Sequence, residues 1–158
     1  MSTALSWCAG PAALAGFVPM VAPSLPPTTK LPPAAVWLAL ARRALATESY
    51  EDALRCFDAA VIHEPRLAIA HLGRALCYAQ MGQDRNAEEA TEVVMEAARG
   101  QEEVLYHLAQ MCAREGQTAI GATLLHQAVV AIPALEEKAA KDRHFADHPA
   151  YLMAIGRL

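Results

Sequence analysis

Residues 37–65 read WLALARRALATESYEDALRCFDAAVIHEP, and the register of large and small side chains in this stretch decides the fold. Val36, Trp37, Leu40, Ala41 and Ala44 recur at three- and four-residue steps and predict an amphipathic helix; Tyr50, Ala53, Leu54, Phe57 and Val61 predict a second. Thr47-Glu48-Ser49 makes the turn between them, with Ser49 placed to cap the second helix and Glu51 and Asp52 in its first turn. Pro65 stops that helix, because proline has no amide proton and its ring blocks the preceding turn.

The pattern returns with a period of 34: Ala41, Ala75 and Ala109 share it, as do Ala53, Ala87 and Gly121, and Leu38, Leu72 and Tyr106. Gly82 and Gly116 repeat it once, and Pro65 and Pro133 lie two periods apart. Such a period marks a stacked helical repeat, in which each unit buries its apolar face only by leaning on its neighbours. The further helices predicted are Ile69 to Met81, Asn86 to Ala98, Glu102 to Arg114 and Thr118 to Ile132. Gly82 suits a left-handed helix end and Asp84 the next N-cap.

Outside the repeat the composition changes. Residues 1–33 hold seven of the ten prolines and a single charge, Lys30, which predicts a linker or arm. Its apolar side chains, Leu14, Phe17, Val18, Met20 and Val21, are expected to dock somewhere. Residues 134–158 keep helical character without the period: Leu135 to Lys141 predicts one short helix, and Pro149 opens another carrying Tyr151, Leu152 and Ile155. The expected fold is therefore all-α, an α-solenoid of about three helix–turn–helix units (34–67, 68–101 and 102–133) closed by C-terminal capping helices.

Trp37, Leu40, Ala41, Tyr50, Ala53, Phe57, Ala60 and Pro65 fall at the spacings of the tetratricopeptide repeat, and the first unit resembles that family. The third unit is similar through Leu105, Leu108, Ala109, Gly116, Gly121, Leu125, Ala128 and Pro133. In the second, Ala75, Tyr78, Gly82 and Ala87 agree, but His71, Arg74 and Thr91 stand where large apolar residues are usual. The tail resembles segments that close some bacterial tetratricopeptide arrays, through Asp142, Phe145, Pro149 and Tyr151. Trp37, Tyr50, Phe57, Tyr78 and Leu125 are expected in the core, since the repeat itself requires them.

The resemblance implies that the first helix of each unit lines a concave, peptide-binding groove. Carried over by position, it gives Leu38, Arg42 and Leu45, then Leu72, Leu76 and Gln80, then Tyr106, Gln110 and Arg114. The Lys/Asn set with which chaperone-binding members clamp a C-terminal carboxylate is missing at the matching positions, so that activity is not implied. The implied partner is an apolar or amphipathic protein segment, held by a cytoplasmic adaptor or chaperone. Two other outcomes stay open: these residues are covered by the chain's own N-terminal segment or cap helices, or the arm is exchanged in a self-associating homo-oligomer.

Other function classes find less support. The net charge of −4, with no Lys/Arg cluster along a predicted helix face, argues against nucleic acid. No stretch approaches the ~18 apolar residues of a membrane span, and the first charge, Lys30, comes too late for the basic start of a secretory signal. Cys8, Cys56, Cys77 and Cys112 show no C-x-x-C spacing and predict reduced thiols. His144 and His148 lie four apart, but Pro149 breaks the shared face, so no metal or cofactor is expected. Without a phosphate loop, H-E-x-x-H or G-x-S-x-G, no enzyme is expected. Glu88, Glu89, Glu92 and Glu96 are expected to form a solvated face.

Overall fold

Glu48, Gly82 and Gly116 sit one period apart and all adopt left-handed backbone, with φ of 56°, 70° and 73°. Each ends the first helix of a hairpin and turns the chain into the second. A computed structural model describes residues 33–157 and contains, among them, eight helices and no strand. The helices are α1 (Pro33–Ala46), α2 (Tyr50–His63), α3 (Ala68–Gln80), α4 (Asp84–Ala97), α5 (Glu102–Arg114), α6 (Thr118–Ala131), α7 (Leu135–Lys141) and α8 (Pro149–Ala154). The N-terminal arm proposed from composition lies outside the described residues apart from Pro33, which begins α1. No helix among the described residues is long and apolar enough to cross a membrane.

The chain is an α-solenoid: α1 packs on α2, α3 on α4 and α5 on α6. The small residues at the period make this close approach possible. Ala41, Ala75 and Ala109 are all 0% exposed, and Ala53, Ala87 and Gly121 face them from the second helices, buried as well. Around them Phe57 and Leu125 are buried, while Trp37, Tyr50 and Tyr78 are partly so. One apolar cluster joins α1, α2 and one side of α3; a larger one runs from the other side of α3 through α8.

Successive units are not joined alike. Phe57 lies on Gly73 and binds α2 tightly to α3. One period later the counterparts are Thr91 and His107, so the large residue has become small and the glycine large. Thr91 is buried and returns its hydroxyl to the Ala87 carbonyl at 2.7 Å, while His107 is exposed. Helices α4 and α5 accordingly stand farther apart than α2 and α3, and the second and third units meet chiefly through α4 and α6.

The other unusual residues of the second unit find polar partners. His71 is buried with Nε2 at 2.8 Å from the Pro65 carbonyl, and Arg74 Nε lies 2.8 Å from Asp58 Oδ1. At the C-terminal end α8 packs on α6, and Tyr151 takes the place a side chain on Gly121 would need, since a Cβ there would be 2.3 Å from the Tyr151 hydroxyl oxygen.

Two expected caps differ. Ser49 occupies the N-cap of α2, but its hydroxyl turns back to Thr47 instead of toward the helix amides. Helix α4 starts two residues earlier than the periodicity suggests, so Asp84 is its first residue and Gln83 holds the cap position. Asp84 keeps a favourable place there, because a carboxylate in the first turn faces the positive end of the helix dipole.

Candidate functional site

The implied groove residues lie on α1, α3 and α5, and the structure divides them. Leu38, Leu45 and Leu76 are partly exposed, and Arg42, Gln80 and Arg114 are exposed. Leu72 and Tyr106 are each only 1% exposed. The assignment of these two to an open groove is corrected: both belong to the cluster running from α3 to α8, and Tyr106 is covered by the segment after α7.

That cover is specific. Phe145 meets the Tyr106 ring edge-on at 5.6 Å between centroids, and Lys138 Nζ stands 4.6 Å above it. The Tyr106 hydroxyl donates to Asp142 Oδ2 at 2.8 Å, and Gln110 Nε2 donates to the same oxygen at 2.6 Å. The other oxygen, Oδ1, accepts the His144 backbone N–H at 3.0 Å. Burial pushes the Asp142 carboxyl up, but these donors and the neighbouring His144 ring outweigh it and hold the group below the ordinary carboxylate range. Tyr106 is shifted the opposite way, its hydroxyl raised by burial and by the hydrogen bond and charge of Asp142. The face of α5 that the resemblance assigns to a groove is thus closed from within the chain, leaving Arg114 exposed at the end of the helix.

The histidines near this cover do not share a helix face. His148 precedes α8 and accepts the Ala150 N–H on Nδ1 at 3.3 Å, capping it. The three described cysteines are free and buried. Burial raises the Cys77 and Cys112 thiols to about 12, and raises Cys56 as well. Cys8 lies outside the described residues.

A concavity lies between α4 and α6, with a volume of about 590 Å³. Ala79, Ala87, Met95, Ala119 and Ile120 give it an apolar floor, and Asp84, Glu88 and Glu92 form an acidic wall along α4. The four carboxylates expected on a solvated face are all exposed; Glu89 and Glu96 pair with Arg85 and Arg99, and Glu88 and Glu92 line the cleft. The counterpart substitution of Phe57 by Thr91 was a sequence signal for this opening, since Thr91 is one of the residues that line it.

No protein-family model matches this chain, and no curated protein matches it either.

Proposed function

We propose that the chain is a tetratricopeptide-type interaction module, an adaptor or chaperone of bacterial type, that holds an apolar or amphipathic segment of a partner protein along the first helices of its units. The reading treats it as a binding protein and not as an enzyme. It is supported above all by the stripe of Leu38, Leu45 and Leu76, which stay partly exposed beside the exposed Arg42 and Gln80. Covering their remaining apolar surface would contribute up to about 1 kcal/mol each. The groove so defined belongs to α1 and α3 and ends where Asp142 and Phe145 cover α5. A cytoplasmic setting forms part of the same proposal and draws support from the free, buried Cys56, Cys77 and Cys112.

Capture from native cell extract with wild-type protein, Leu45→Asp/Leu76→Asp and Arg42→Glu tests this reading. A partner held by wild type and lost with both variants, at unchanged helical circular dichroism, is the expected outcome. Equal capture by all three would overturn it. Leu72 is unsuited to the test, because an aspartate at a buried position would disturb the fold itself.

A further inference from the structure

We propose that the cleft between α4 and α6 is a second docking site, taking a basic amphipathic helix from a protein partner. This does not rest on the groove of α1 and α3. The floor offers apolar surface through the partly exposed Ala79 and Met95 and the exposed Ala119, and the wall offers Asp84, Glu88 and Glu92. No lysine or arginine lines this cleft itself; Arg99, on an adjoining recess, is paired with Glu96, and none of the three carboxylates has an ion-pair partner among the described residues. That smaller recess, of about 270 Å³, shares Glu92 and Met95 with the cleft, so the concavity continues toward the end of α4.

The spacing identifies the form of the ligand. Asp84, Glu88 and Glu92 recur every four residues, which sets them ~6 Å apart along the helix axis. A helix carrying Lys or Arg at the same interval brings one cation to each, and its adjoining stripe of apolar residues falls on the floor. A strand sends alternate side chains to opposite faces and serves a wall and an adjoining floor less well. The chain's own arm lacks the charge for this task, since residues 1–32 contain Lys30 and no other charged residue. A second copy, at net −4, would on balance be repelled by the wall.

The test uses the full chain and a fluorescein-labelled helical peptide with lysines every four residues beside a leucine face, followed by anisotropy at low salt. Wild type is expected to bind saturably. Glu88→Gln/Glu92→Gln should weaken binding by about tenfold or more, whereas Glu51→Gln/Glu64→Gln, which removes equal charge from exposed sites elsewhere, should leave it unchanged. Ala119→Trp fills the cleft without altering charge and should weaken binding to a similar degree; Thr123→Tyr replaces it if circular dichroism shows a fold defect. Equal loss with the Glu51/Glu64 variant would reduce the effect to the general field of the protein and overturn the site. Undiminished binding by the filled variant would also overturn it. So would competition by spermine as effective as that of unlabelled peptide, because the apolar floor would then play no part.

Discussion

The ring of Phe57 occupies the space that a side chain on Gly73 would need: a Cβ there would lie 2.2 Å from Cζ and 2.3 Å from Cε1. Both residues are buried at the junction of α2 and α3, so neither the ring nor the helix can yield freely. Gly73→Ala is expected to destabilise the protein by about 1–3 kcal/mol despite its better helix propensity. Urea unfolding measures this. In a Phe57→Leu background the same substitution should cost much less, and an equal cost in both backgrounds would show that the ring is not the obstacle.

Glu48 is the outlier in a set otherwise made of glycines. Its φ of 56° matches Gly82 and Gly116, but its side chain bears the steric cost of left-handed backbone, about 1–2 kcal/mol. A glycine removes that cost while giving back roughly 0.5–1 kcal/mol of unfolded-state entropy. Glu48→Gly should therefore stabilise the protein by about 0.5–1 kcal/mol and raise Tm by about 2 °C. Gly116→Ala should shift Tm the opposite way. Calorimetry of the two variants checks the pair of signs.

The helix pairs were legible because a period of 34 constrains many residues at once: Ala41 predicts Ala75 and Ala109, and the buried alanines follow. What covers a repeated position was not legible. Leu38, Leu72 and Tyr106 share a register, yet Leu38 stays partly exposed while Tyr106 disappears beneath Phe145. That difference depends on a contact with Asp142, 36 residues away and outside the period. Caps were missed for a more local reason, since Ser49 had an alternative acceptor and donor in Thr47 that composition does not rank. The cleft could have been found by asking where the period breaks: Phe57 and Gly73 become Thr91 and His107.

Asp142 should make stability depend on pH in acid. Its carboxyl is held below the ordinary carboxylate range in the folded chain, burial being outweighed by the donors His144 N–H, Tyr106 and Gln110. A depressed folded pKa stabilises fully above the unfolded value and is lost as pH falls through the folded one. Asp142→Asn should thus be less stable at pH 7, and the gap to wild type should narrow steadily below about pH 4. Tyr106→Phe removes one donor and leaves its ring packing, with an expected cost of about 1–2 kcal/mol at pH 7. Urea titrations across this range decide it: a gap between wild type and Asp142→Asn that stays constant in acid would contradict the linkage.

Thiol chemistry reports on the core directly. Burial raises Cys77 and Cys112 to about 12, with Asp58 and Glu51 adding to the rise at Cys77; at Cys112 its own backbone hydrogen bond works against the rise and Glu115 adds to it. The thiolate is the reactive form, so at pH 8 ionisation alone slows these groups by roughly a thousandfold relative to an ordinary cysteine. In a Cys8→Ser background, labelling of Cys56, Cys77 and Cys112 by a disulfide reagent should therefore proceed through opening of the fold and accelerate with urea in step with unfolding. Cys77 lies in the cluster shared with α1 and α2, and Cys112 in the one that reaches α8. Weakening the α2–α3 junction with Gly73→Ala should speed Cys77 more than Cys112, and equal acceleration of both would mean that the two clusters open as a single unit.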